Sequence, residues 1–354
     1  ILFFVRIPEM INVLGLALYG QKAASHRYRL SQYKKGLSEL NINLQVYHLL
    51  DDDYLESKFS EKPFSKIKLL FNVIKRLILI FSAKKFDVTI LHCELLPFFP
   101  GWLESFILPK PYIFDFDDAW HLRYKLNRSK IFKIFLENKV DKVIENASAV
   151  NAGNSYLAKF ASKHNTVVNI FPTVLDTEIY KPDTKSKTNI FTIGWIGSPT
   201  TAPYLESLIN PLTALGSEGP VALHVIGGKA PEISNIEIHE IPWSEDTEVE
   251  NINKFDVGVM PLVDDEWAKG KCAFKLLQYM ACGLPVVATN VGANIEVINP
   301  ESGFLVCNDQ MWLKSLRQLR DDPNLRNQLG CAGRARVEQF YSLRSNLPLL
   351  ARTI

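Results

Sequence analysis

The stretch "YKPDTKSKTNIFTIGWIG", Tyr180 to Gly197, is where the chain changes character. Its first ten residues are polar, include Pro182 and show no apolar period, so they read as a linker. The eight that follow form a short apolar run ending in glycine, which reads as a buried strand opening a new sheet. Upstream, apolar runs at Val13–Leu18, Leu44–Leu49, Val88–His92, Tyr112–Phe116, Ala149–Ala152 and Val167–Phe171 alternate with longer helical patterns. Downstream the alternation resumes with "ALHVIGG", "IEIHEIPW", "DVGVMPL", "LPVVATNVG" and "GFLV". Strand and helix in turn mean parallel sheets covered on both faces. The expected fold is α/β, two doubly wound Rossmann-like domains facing across a cleft, with residues 1–182 in the first and 183–354 in the second.

Composition narrows the function classes. The 354 residues are 47% hydrophobic and 22% charged, an ordinary balance for a globular chain of about two domains. Lys+Arg 40 against Asp+Glu 38 leaves a formal charge of +2, too even for a nucleic-acid footprint. The five cysteines form no CxxC pair and are odd in number, pointing to reduced thiols in a cytosolic protein. No apolar run reaches the roughly 20 residues that span a bilayer. "ILFFVRIPEM" lacks an initiator Met, whereas "MINVLGLALYG" opens like an enzyme's first strand, so residues 1–9 read as an upstream extension. Neither half carries GxGxxG, GxxxxGK[ST] or HExxH, which weakens dehydrogenase, NTPase and metalloprotease readings.

In open parallel sheets, ligands sit beyond the carboxyl ends of the strands. The most informative segment there is "GKCAFKLLQYMACGLPVV", Gly270 to Val287. A helix is expected from about Cys272 to a left-handed cap at Gly283, with Pro285 after it. At about 100° per residue, Lys271, Lys275 and Gln278 share one narrow stripe on an otherwise apolar helix. Two lysines at the positive end of a helix, with no carboxylate in that turn, suit a phosphate or diphosphate, and Gln278 suits hydroxyls beyond it. Gln278→Glu is expected to be tolerated.

The run from Asp256 to Ile298, "DVGVMPLVDDEWAKGKCAFKLLQYMACGLPVVATNVGANIEVI", resembles the donor-binding region of glycosyltransferase family 4, retaining enzymes of the GT-B fold. "GQKAASHRYRLSQYKKGL", "YIFDFDDAW" and "NAGNSYLAKFA" resemble that family's acceptor domain. "IGWIGSP" and "LRNQLGCAGRARVEQFYS" resemble the start of its donor domain and the C-terminal helices that return to the first domain. Where the family has two glutamates seven residues apart, this chain has Gly270 and Gln278, and resembles a branch written GK…K…QYMA. The resemblance implies transfer of a sugar from a nucleotide-diphosphate sugar to a hydroxyl acceptor, a glycan or a lipid-linked molecule, in cell-surface polysaccharide or glycolipid synthesis. A sugar-nucleotide epimerase or a non-catalytic nucleotide-sugar-binding module of the same fold is the alternative.

Lys271, Lys275 and the loop at Gly197 and Ser198 are expected to hold the diphosphate, with Gly20 letting backbone approach it. In a retaining transfer of the implied kind the departing phosphate can accept the acceptor's proton, so no enzymic base is obligatory. Glu296, after "VGAN", resembles the family's loop acid near the donor sugar. No metal or resident cofactor is expected; the nucleotide sugar is a co-substrate. "FDFDDAWH" brings Asp115, Asp117 and Asp118 together like a metal-binding DxD, but strand alternation assigns them more simply. Asp118 and His121 then serve either acceptor positioning and proton handling or a structural loop. Ser25, Arg27 and Arg29 either approach a charged group or form an exposed basic helix start. "FSKIKLLFNVIKRLILIFSAKKF", Phe64 to Phe86, reads as an amphipathic helix for an anionic membrane surface or as a sheet-packing helix with solvated lysines. The expected location is cytoplasmic, peripheral on the inner membrane face if that helix docks.

Overall fold

The computed structural model describes residues 10–59, 62–125, 130–183 and 190–354. The proposed extension, residues 1–9, and residues 184–189 of the expected linker lie outside the described residues. The chain divides into two compact units: Ile1–Thr173 with Asn346–Ile354, and Val174–Ser345. The division therefore precedes the linker. Residues 174–183 side with the second unit because Leu175 pairs with Tyr341 and Leu343, while Arg334 donates to the Tyr180 and Thr177 carbonyls.

The first unit carries six parallel strands, β1 (Ile11–Tyr19), β2 (Ile42–Leu50), β3 (Val88–His92), β4 (Tyr112–Phe116), β5 (Ala149–Ala152) and β6 (Val168–Ile170). Their order is β2-β1-β3-β4-β5-β6. β1 is buried on both faces, with Val13, Leu14, Leu16 and Ala17 fully covered, as a central parallel strand requires. The helix Lys66–Phe81 is inverted relative to an ordinary covering helix. Arg76 and Ile80 are buried, whereas Ile67, Leu70, Phe71, Ile74, Ile78 and Phe81 are exposed. Arg76 can be inside because its guanidinium donates to the Ala17 and Tyr47 carbonyls.

The second unit repeats the plan with β7 (Phe191–Ile196), β8 (Val221–Ile226), β9 (Glu237–Ile241), β10 (Val257–Met260), β11 (Val286–Thr289) and β12 (Gly303–Val306), ordered β12-β11-β10-β7-β8-β9. Two glycines let its layers close. A Cβ on Gly194 would stand 1.8 Å from the Phe255 ring, and one on Gly258 would stand 2.2 Å from the Tyr279 ring. Of the final helices, Pro323–Phe340 lies wholly in the second unit. Only the helix Leu343–Thr353 changes membership, from Asn346 onward, and its Leu347 packs on Gly36.

Candidate active site

The order of the second sheet places its switch point between β10 and β7, where chain direction away from the sheet centre reverses. That is where a doubly wound sheet leaves a ligand crevice beyond its strand ends. The loop after β7 contributes Gly197, Ser198, Thr200 and Thr201. The segment after β10 leads through Lys271 to the helix Phe274–Ala281. Tyr279 fixes this helix to both strands: its ring fills the space over Gly258, and its hydroxyl accepts the Ile196 N–H at 2.9 Å. Gly283, with φ +71, ends the helix, and Leu284 N–H returns to the Tyr279 carbonyl at 3.0 Å.

The start of the helix differs from the sequence expectation. It begins at Phe274, not Cys272, because Ala273 adopts a left-handed conformation, φ 53 and ψ 25. Lys271 instead follows Gly270, the C-cap of the preceding short helix Glu266–Lys269, its N–H bonded to the Ala268 carbonyl. The two lysines thus approach from separate backbone segments rather than as one helical stripe. A left-handed alanine is a strained conformation of the kind concentrated at binding sites. Nothing in the residue type Ala announces it.

Lys275 projects onto the β7 loop. Its Nζ lies 4.0 Å from the centroid of the Trp195 ring and donates to Thr201 Oγ1 at 3.3 Å. Gly197 is what makes the room, since a Cβ there would stand 2.5 Å from Lys275 Nζ. Loss of hydration, reinforced by the like charge of Lys271, brings the Lys275 ammonium down to about 7. No carboxylate of the described residues forms an ion pair with Lys275. Trp195 is buried, as packing alone would have it, yet one face serves the ammonium. Ser198 exchanges a hydroxyl hydrogen bond with Thr200 at 2.8 Å, and its carbonyl accepts from Thr201, which shapes the loop into a tight turn.

Gln278 requires a correction. It is buried, and its amide nitrogen donates to Glu248 Oε1 at 2.8 Å and lies 3.2 Å from the Tyr180 hydroxyl. Glu248 also accepts from Tyr180 and from the Trp243 indole. The Gln278 amide nitrogen is therefore occupied inside the unit. Glu248 escaped the sequence reading because it sits in the first turn of the helix Glu248–Asn253, where an acid is ordinarily a dipole partner. Glu296 lies in the helix Ala293–Val297 after β11, half-buried, with its carbonyl held by Arg336 and Tyr341.

In the first unit, Gly20 has a local reason for lacking a Cβ. Asp52 fills that space, 2.5 Å from where the Cβ would be, and accepts the Lys22 N–H. Asp118, at the end of β4, accepts the Ala119 N–H at 2.9 Å and is half-buried. His121 is buried and stacks on Phe160, ring centroids 3.9 Å apart. Arg29 is not part of an exposed basic helix start: it is fully buried and grips Asp115 through two hydrogen bonds, 2.9 and 2.6 Å. Burial pushes the Asp115 carboxyl up, but Arg29 and His92 outweigh it and hold it below the usual range. Asp115 is thereby unavailable to a DxD metal. The five cysteines are thiols outside any disulfide, with Cys93 and Cys282 buried, Cys272 intermediate, and Cys307 and Cys331 exposed.

Two parallel six-stranded sheets with these orders, in two units, define the GT-B type of glycosyltransferase fold. Residues 190–322 match the family described as Glycosyl transferases group 1. Sucrose-phosphate synthase from Thermosynechococcus elongatus is similar over 97% of this chain and 98% of its own, with 12% identity and a TM-score of 0.69. Anabaena HepE in complex with UDP is similar over 97% of this chain and 99% of its own, with 16% identity and a TM-score of 0.65. In sequence, a GDP-mannose-dependent monoacylated alpha-(1-6)-phosphatidylinositol monomannoside mannosyltransferase from Corynebacterium glutamicum is 40% identical over 68 residues, 19% of this chain. The match spans only 18% of that relative's length. Among the described residues no helix is long and apolar enough to cross a membrane.

Proposed function

We propose that the protein is a glycosyltransferase that moves a sugar from a nucleotide-diphosphate donor to a hydroxyl acceptor, with retention at the anomeric carbon, in the branch of family 4 that its GK…K…QYMA segment resembles. One observation carries the reading: at the switch point of the second sheet, the Lys275 ammonium is held on Trp195 beside the Gly197 loop, with Lys271 as its charged neighbour. A desolvated cation whose near neighbour is another cation is stabilised by an anion between them. The donor's diphosphate fills that role. As the bond to the sugar breaks, negative charge grows on the β-phosphate, and the lysines with the loop amides stabilise it more than they stabilise the intact donor. The departing phosphate takes the acceptor's proton, and Asp118 and His121 position the acceptor in the first unit.

The acceptor is a lipid-linked or membrane-embedded glycan, and the helix Lys66–Phe81 docks the enzyme on an anionic bilayer. Its outward apolar stripe supports this reading, together with the exposed Lys66 and Lys75. Exposed Trp102 and Phe106 add interfacial aromatic surface to the same unit.

The test is to screen UDP- and GDP-sugars by calorimetry and then follow release of free nucleoside diphosphate with lipid-linked and soluble acceptors. Release that depends on acceptor supports transfer. Sugar isomerisation without acceptor, or tight donor binding with no turnover for any acceptor, would replace it with an epimerase or a binding module. Co-sedimentation with phosphatidylglycerol vesicles checks the docking helix, and Phe71→Asp should abolish it.

A further inference from the structure

The switch point of the first sheet lies between β1 and β3, and its β3 side carries an arrangement that the sugar-transfer reading does not use. β3 ends at His92, whose Cα is paired in register with Asp115 of β4. Cys93 follows with φ +67, a left-handed backbone that a cysteine rarely adopts, pinned by its N–H to the Asp115 carbonyl at 2.9 Å. Asp117 lies two residues beyond Asp115, and so on the same side of the chain. His92 Nδ1 bonds to Asp115 Oδ1 at 2.8 Å. The proton of the neutral ring therefore belongs on Nδ1, and Nε2 presents its lone pair. That nitrogen lies 3.1 Å from Cys93 Sγ and 3.7 Å from Asp117 Oδ1. The three donor atoms all fall within 4.8 Å of one another.

These separations come close to those of metal ligands, the 3.7 Å pair within range and the 3.1 Å pair a few tenths of an ångström short of it. Bonds of about 2.0–2.3 Å in a tetrahedral shell place neighbouring N, S and O donors roughly 3.3–3.8 Å apart. The supporting shell is present too: His92 is oriented by a carboxylate, and that carboxylate is locked by Arg29.

We propose that the carboxyl ends of β3 and β4 form a site for one zinc-type divalent ion, held by His92 Nε2, the Cys93 thiolate and an Asp117 oxygen, with the fourth position open to water. The mixed N, S, O donor set selects zinc or cobalt over magnesium and calcium, which prefer all-oxygen shells. Binding releases the Cys93 proton to solvent and ties the ends of two neighbouring strands together. His92 and Cys93 are buried, whereas the Asp117 carboxylate is partly open, so the ion reaches the site from the Asp117 side. The three ligands all belong to the first unit, and the test reads metal rather than turnover.

Whole protein stripped with a chelator is titrated with Co²⁺ and, separately, with Zn²⁺ and Mg²⁺. One equivalent of Co²⁺ should produce a thiolate-to-cobalt charge-transfer band in the near ultraviolet, which Zn²⁺ displaces and Mg²⁺ does not. Zinc should also raise the melting temperature. Cys93→Ser should lose the band, whereas Cys307→Ser should keep it. Asp117→Asn, at a partly open position that does not threaten folding, should weaken Co²⁺ affinity at least tenfold. Absence of the band in the parent protein, its survival in Cys93→Ser, or unchanged Co²⁺ affinity in Asp117→Asn would each overturn the proposal and leave a simple S–H···N hydrogen bond.

Discussion

Replacing Gln278 by glutamate puts two buried carboxylates face to face. The Gln278 amide nitrogen is 2.8 Å from Glu248 Oε1, so in Gln278→Glu an oxygen takes the place of a donor at about that distance. Two charges about 3 Å apart at an effective dielectric near 20 repel by roughly 5 kcal/mol. Taking up a proton is easier: holding a carboxyl of ordinary pKa near 4.3 protonated at pH 7 costs about 3.5 kcal/mol. The pair therefore keeps one proton, and the penalty is set by that uptake, less a few tenths to 1 kcal/mol for the hydrogen bond regained.

The sign follows from linkage. The folded variant binds a proton that the unfolded chain releases above about pH 4.3, so stability falls as pH rises. The deficit should be about 0.5 kcal/mol at pH 5 and about 3 kcal/mol at pH 7. In a unit of this size, about 3 kcal/mol lowers the melting temperature by roughly 6–12 °C. Calorimetric melting of the parent, Gln278→Glu and Gln278→Ala from pH 5 to 8 reads it directly. Gln278→Ala loses the hydrogen bond without adding charge, so its deficit should be flat with pH. A Gln278→Glu protein that melts with the parent at pH 8, or whose deficit does not widen between pH 5 and 8, would refute the reasoning and restore the tolerance expected from the sequence.

Lys275→Ala should weaken nucleoside diphosphate binding by about 1.5–3 kcal/mol, ten- to a hundredfold in Kd by calorimetry, without lowering the melting temperature of the unligated protein. Because the parent's Lys275 titrates near 7, its affinity should be highest below neutral pH and decline above it, whereas Lys275→Ala should bind with little pH dependence. Gly197→Ala places a methyl 2.5 Å from Lys275 Nζ and from the Trp195 ring, so it should displace the ammonium and weaken the same binding about tenfold or more with the fold retained. With lysines neutralising the diphosphate, donor affinity should be unchanged by EDTA; a loss restored by Mn²⁺ or Mg²⁺ would reject that assignment.

The sequence by itself determined the two-sheet α/β class, since parallel strands buried on both faces must appear as apolar runs between helices, and these runs recur on both sides of Tyr180–Asn189. It also determined the end of the site helix, because Gly283 and Pro285 act locally through φ and a missing donor. Lys271, Lys275 and the Gly197 loop were legible as anion-seeking residues at strand ends, but their meeting was not. It depends on Tyr279 packing over Gly258, and on a gap at Gly197 that only the neighbouring Trp195 ring and Lys275 define. Arg29 with Asp115, separated by 86 residues, and Gln278 with Glu248, separated by 30, became pairs only when the fold brought their helices and strands together. Polar side chains carry no periodic signal of their partner, whereas apolar periodicity reports burial residue by residue. Helix starts show the same limit: nothing in alanine announces the left-handed turn at Ala273.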